Sequence, residues 1–246
     1  MPQVFSVIIP MSSPEDEVST STLHEAEVES RWEAAPIILL VIVLQVAIAL
    51  VSLQQGWSLW RLPWWSWLLL AIPEAILVVP LAAAWPGFSF DLMFGRRRTI
   101  SLLLIGLIGI GNGLALVALL TALLTGRETN GAELLFKAAA IWTTNVIAFG
   151  LCYWEVDRGG PVRRRMPNPP SADFQFPQME NPDLAEPGWT PHLIDYVYVS
   201  FTNSIAFSPT DAMPLTRRVK LLMLLESAAS VVTLLLVAAR AVNILR

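Results

Sequence analysis

The feature that most constrains this chain is a series of uninterrupted apolar runs, each near the ~20 residues that an α-helix needs to cross a ~30 Å hydrocarbon core. Residues 36–53 carry no charge, 64–85 carry only Glu74, and 99–124 carry none. Residues 134–154 carry only Lys137, and 219–245 carry Lys220, Glu226 and Arg240. In a bilayer every backbone N–H and C=O must be satisfied within the segment, and a helix does this. The expectation is therefore an all-α, polytopic helical membrane protein with five transmembrane helices. A sixth piece, 192–208, is short and contains Asp195, so by length it is a re-entrant segment or a minimal transmembrane segment. The re-entrant reading is preferred.

Composition agrees. With 54% hydrophobic residues, 15% charged residues and a mean hydropathy of +0.57 over 246 residues, the chain is too apolar for an ordinary soluble domain. The net charge of −4 gathers its acids in the N-terminal tail and its bases beside the spans, which is topology chemistry and excludes a nucleic-acid surface. Cys152 is the single cysteine, and His24 and His192 are the only histidines, far apart. No disulfide framework, metal site or cofactor is expected.

Residues 1–34 read as an acidic, Ser/Thr-rich, disordered tail with no cleaved signal peptide. Residues 35–133 form a three-helix membrane region. Trp57, Trp60, Trp64, Trp65 and Trp67 crowd one span boundary, as an interfacial aromatic belt does. Glu74 lies at the centre of a span broken by Pro73 and Pro80. An intramembrane acid persists only if paired, protonated or useful, and Gln45, Asn112 and Asn145 are its candidate partners. Gly109 and Gly113 have the spacing that lets two helices approach closely. Eight prolines between 155 and 191 exclude a continuous helix, giving an extended loop expected to lie on the membrane through Phe174, Phe176 and Trp189.

The C-terminal fifty residues carry the most specific pattern. Tyr198, Ser200, Phe201 and Thr202 are followed by Asp211, Pro214, Thr216, Lys220 and then Leu225, Glu226 and Ser227 at the head of a long apolar helix. In this order and spacing the segment resembles the pore module of the two-transmembrane potassium-channel family. The resemblance implies an outer helix at 134–154, a Pro-rich loop at 155–191, a pore-like segment at 192–211 and an inner helix at 217–245. It also implies an oligomer, a tetramer if the protein is a channel, and monovalent cations as the passing species. Thr202, Ser204, Ala206, Phe207, Ser208, Pro209, Thr210 and Asp211 would form the pore-like segment; the resemblance does not reach the first three spans, and the apolar runs themselves make Glu74 and Glu226 the intramembrane acids.

The departure from that family is chemical. Potassium selectivity uses rings of backbone carbonyls, and the family's glycines allow the backbone conformation that turns them inward. Here Ser208, Pro209 and Thr210 occupy the corresponding glycine, tyrosine and glycine positions. Proline fixes its own φ and restricts the residue before it, so the stretch cannot copy that filter. Charge adds a second difficulty. A channel orientation would put Arg96, Arg97, Arg98, Arg158, Arg163, Arg164, Arg165, Arg217, Arg218 and Lys220 outside. The opposite orientation, with a re-entrant segment, divides the basic residues 11 inside to 5 outside, and a full crossing divides them 10 to 6.

The sequence thus points to an integral membrane protein of ion-channel-like ancestry without a classical potassium filter, in a bacterial inner membrane with a cytoplasmic N-terminus. Two alternatives stand beside it: a cation channel with a non-standard pore lined by residues 202–211, and a membrane scaffold that binds partner proteins through its tail and loop. Two acids without a nucleophile, base or ligand set do not make an enzyme. No repeated halves mark a transporter, and three consecutive terminal arginines are an anchor, not a voltage sensor.

Overall fold

The computed structural model describes residues 36–57, 90–125, 131–166, 168–206 and 211–244, with isolated positions 65, 68, 72 and 75. Four long helices dominate these residues: α1 (Pro36–Gln55), α2 (Phe90–Leu124), α3 (Gly131–Val156) and α7 (Arg217–Ile244). Between α3 and α7 lie two single turns, α4 (Pro161–Arg164) and α5 (Pro177–Glu180), then the fourteen-residue α6 (Leu193–Ala206). Two-residue strands β1 (Phe174–Gln175) and β2 (Met213–Pro214) pair antiparallel, Phe174 opposite Pro214.

Among the described residues four helices are long and apolar enough to cross a membrane, their spans starting at Pro36, Ser101, Gly131 and Arg217. At 20 residues, α1 is about 30 Å long. It ends where Gly56 turns to φ +69° and the Trp57 N–H reaches back to the Ser52 carbonyl at 2.9 Å, a Schellman closure. The fifth expected span, 64–85, falls mostly outside the described residues, and so do Glu74 and the tail. Of the tryptophan belt, Trp57 packs on Phe136 with ring centroids 6.0 Å apart, and Trp65 is exposed.

The helix α3 is the hub, touching α2 on one side and α6 and α7 on the other. Its sequence permits this because it buries residues almost all round, including Thr144, Asn145, Tyr153 and Glu155. The approach of α6 depends on Gly150. A Cβ there would stand 2.9 Å from both Cα and Cγ2 of Val197, so only glycine lets the backbones come this close. By contrast, a Cβ added to Gly106, Gly109 or Gly113 of α2 would meet no described atom within 4 Å. Among the described residues, therefore, the close approach expected at Gly109 and Gly113 is not made. α2 instead buries Leu104, Ile108, Asn112, Ala115 and Leu119, a helical stripe on a different face.

Directions follow from the contacts. Along α6, Val197 meets Gly150, the Ser200 hydroxyl meets the Val146 carbonyl, and Phe201 meets Trp142. The helix therefore runs antiparallel to α3, starting at the C-terminal end of α3. The chain then comes back, because Met213 and Pro214 pair with the loop strand and Thr216 bonds Asp173 at that same end. From there α7 also descends along α3, with Glu226 at Tyr153, Ser230 at Asn145 and Val237 against the cluster around Leu134 and Ile141. A short helix goes in, the chain returns, and a long helix goes in again.

The Pro-rich loop corrects an expectation. Phe174 is 0% and Phe176 4% exposed, and both stack into an aromatic cluster with Tyr153 and Tyr196 at centroid distances of 5.2–5.8 Å. The loop caps the bundle end with these two rings instead of laying them on the lipid. Its prolines work locally: Pro161, Pro177 and Pro182 each open a short helical turn, where the missing N–H costs nothing.

Candidate functional site

Two polar clusters hold the α6 hairpin, one at the bundle end and one deep between α3, α6 and α7. At the end, Arg158, Gly159 and Gly160 have φ of 51°, 80° and 105°, and this left-handed run turns the chain sharply after α3. The turn aims Asp157 inward, where it is 0% exposed. Asp157 Oδ1 accepts from the backbone N–H groups of Asp173 and Phe174, at 2.7 and 3.3 Å. Its Oδ2 accepts from the Tyr196 hydroxyl at 2.5 Å and pairs with Arg164 at 3.7 Å. Arg164 also donates to the Tyr196 oxygen and the Trp154 carbonyl, and its guanidinium lies 4.9 Å from the centre of the Tyr196 ring. A buried ion pair is tolerable because every oxygen here has a partner.

Asp173 forms the second half of this latch. Arg218 grips it bidentately, Nε to Oδ1 at 2.7 Å and Nη2 to Oδ2 at 2.5 Å. Thr216 donates to Oδ1 at 2.6 Å and the Arg158 N–H to Oδ2 at 3.2 Å. Burial pushes this carboxyl up, but the hydrogen bonds from Arg218 and Thr216 and the charge of Arg218 outweigh it, leaving its pKa below the ordinary 3.8. The Thr216 carbonyl accepts the Lys220 N–H at 3.1 Å, so Thr216 stands at the N-cap of α7 while its hydroxyl serves Asp173. Asp195, which argued against a simple crossing, sits at the third position of α6 and accepts the His192 N–H at 2.7 Å, the return half of a capping box.

The deep cluster centres on Glu226, 0% exposed. Oε2 accepts from the Tyr153 hydroxyl at 2.5 Å and from the Asn203 amide at 2.6 Å. Oε1 faces the hydroxyls of Ser204, at 3.1 Å, and Ser200. The remaining amide hydrogen of Asn203 goes to the Met223 carbonyl at 3.1 Å. One layer deeper, Asn145 donates to Ser230 at 3.2 Å and to the Glu226 carbonyl at 3.4 Å. Ser200 has one hydroxyl hydrogen and two acceptors, Glu226 Oε1 and the Val146 carbonyl at 2.7 Å. Both contacts are met together when Oε1 carries a proton and gives it to Ser200.

The residues read from the sequence as a pore-like segment thus divide. Ser204 turns inward to Glu226, and the Thr202 hydroxyl folds back on the Tyr198 and Val199 carbonyls at 2.9 and 3.0 Å. Ala206 is exposed, Phe207, Ser208, Pro209 and Thr210 lie outside the described residues, and Asp211 is exposed, with its charge beside Tyr198. Asn112 donates to the Ile141 carbonyl at 3.1 Å, and Asn145 belongs to the Glu226 cluster. Sequence reasoning missed Tyr153, Asp157, Arg164 and Asp173. The only local signal was polar residues at helical spacing within apolar helices, with Asn145 and Tyr153 on α3 and Ser200, Asn203 and Ser204 on α6.

The helices define an integral membrane protein built around a polar hairpin. No protein-family model, curated protein or solved structure matches the chain.

Proposed function

We propose that this is a bacterial inner-membrane protein of ion-channel-like ancestry in which the C-terminal hairpin is a pore-loop scaffold without potassium-selective conduction. The supporting observation is that α6 enters beside α3, the chain returns to the same end, and the hydroxyls of Ser200 and Ser204 and the amide of Asn203 on α6 are bonded to Glu226. In this reading α3 is the outer helix, α6 the re-entrant pore helix and α7 the inner helix. Polar groups spent on an internal carboxyl do not line a path for ions. The glycine-free stretch 206–210 supports the same conclusion.

The N-terminus is cytoplasmic in this reading. Arg98, Arg158, Arg163, Arg164 and Arg218 gather at the end of the bundle where α3 finishes, which becomes the inner side. A cation path remains the second reading because Asp211, beside Tyr198, is exposed on the returning segment. The test is flux from liposomes containing the purified full chain. No potassium-selective flux is expected above that of empty liposomes. A potassium-selective flux that Asp211→Asn alters would replace the scaffold reading with the channel.

A further inference from the structure

A half-open cavity of about 320 Å³ lies between α2, where its apolar span begins, and the turn that joins α3 to α4. Its size is at the lower end of the ~300–1,000 Å³ range of small-ligand pockets. Arg98 of α2 and Arg163 of α4 line it from two sides, and the carboxyl of Glu155, a residue 7% exposed, lines it from the last turn of α3. The Arg98 Nε atom is buried and has no hydrogen-bond partner among the described residues, which is costly for a guanidinium unless an anion meets it. Among the described lining residues, two guanidiniums and one carboxylate leave a net charge of +1, the complement of one phosphodiester.

Gly159 and Gly160 keep the cavity open. A Cβ on Gly159 would stand 3.1 Å from Arg163 Cδ, and one on Gly160 would stand 3.2 Å from Glu155 Oε2, so any side chain there would press on the charged groups that line the space. Depth selects the source of the phosphate. The apolar span of α2 begins at Ser101, which lines the cavity, and Arg98 lies three residues before it. That is the level of lipid headgroups at a membrane boundary.

We infer that this cavity binds a phosphodiester lipid headgroup bearing hydroxyl or ammonium donors, with Arg98 and Arg163 on the phosphate and Glu155 on the donor end. The inference rests on the membrane reading of the four helices and not on the pore-loop reading. Removing both cations should therefore release the lipid without altering the hairpin.

The experiment is native mass spectrometry of the full chain in detergent, titrated with phosphatidylglycerol, phosphatidylethanolamine, phosphatidylcholine or inorganic phosphate. The wild type should retain phosphatidylglycerol and phosphatidylethanolamine at least tenfold more tightly than phosphatidylcholine, whose quaternary ammonium has no N–H for Glu155. The Arg98→Gln, Arg163→Gln double variant should lose that preference, and Arg165→Gln should keep it. Ser101→Phe, which fills the cavity without removing a charge, should give the same loss, so a double variant that does not fold leaves the question answerable. Displacement of the lipid by millimolar inorganic phosphate would keep the phosphate site but overturn the lipid as its ligand. Equal retention by wild type and variants, or no preference over phosphatidylcholine, would overturn the site itself.

Discussion

Glu226 shows how much one side chain can organise in an apolar setting. It receives Tyr153 from α3 and Asn203 and Ser204 from α6 and gives its own proton to Ser200, so truncating it strands donors from two helices together. A buried donor left without a partner costs ~1–3 kcal/mol. Glu226→Ala should therefore lower stability by several times the ~1 kcal/mol expected for Tyr153→Phe, which removes one bond and leaves the other three. Thermal unfolding of both variants in detergent checks the order, and equal losses would mean the carboxyl is not the hub. Asp173 answers to pH. Its pKa lies below 3.8 in the folded protein, so its stabilising contribution is complete above 3.8 and disappears as pH falls through the lower folded value. The wild-type unfolding midpoint should hold down to about that ordinary value and then fall. Arg218→Ala, which removes the charge and two hydrogen bonds while leaving the burial, brings the folded pKa up toward or past the unfolded one and should therefore shrink the acid-induced fall.

At the scale of elements the decisive contact is between α3 and α6. Gly150 admits Val197 so closely that the nearest atoms include the Val197 Cα, not only its side chain. Gly150→Ala should cost roughly 1–3 kcal/mol, the usual range for overpacking. Pairing it with Val197→Ala should restore only part of the loss, since the backbone clash stays. Full rescue in a thermal melt would show that the helices can part without harm. The glycines of α2 teach the converse. Gly109 and Gly113 have the spacing of a packing motif, yet among the described residues α2 turns Leu104, Ile108 and Ala115 to its neighbours. Spacing gives a face, and only the partner's position says whether that face is used.

Across the whole molecule, loop, hairpin return and the start of α7 share one end, and the end of α2 lies at the other. In a Cys152→Ser background, single cysteines at Ser171 and Met213 should react with an impermeant maleimide from the same side of the membrane. A cysteine at Leu124 should react only from the opposite side. Labelling of Ser171 and Met213 from different sides would mean that α6 crosses fully and the re-entrant reading fails.

The apolar runs by themselves determined the helical membrane class, the positions of α1, α2, α3 and α7, and the shortness of α6, because the length of an apolar run is local information and the bilayer turns it directly into structure. The polar and proline pattern marked 192–211 as a separate device for the same reason. Tertiary structure alone decided that Phe174 and Phe176 fold into the bundle end, that Asp157 and Asp173 tie the loop down, and that Glu226 meets Tyr153, 73 residues away. A polar residue in an apolar helix announces that it needs a partner. Which one it finds depends on how helices are turned and stacked, and local periodicity does not carry that information.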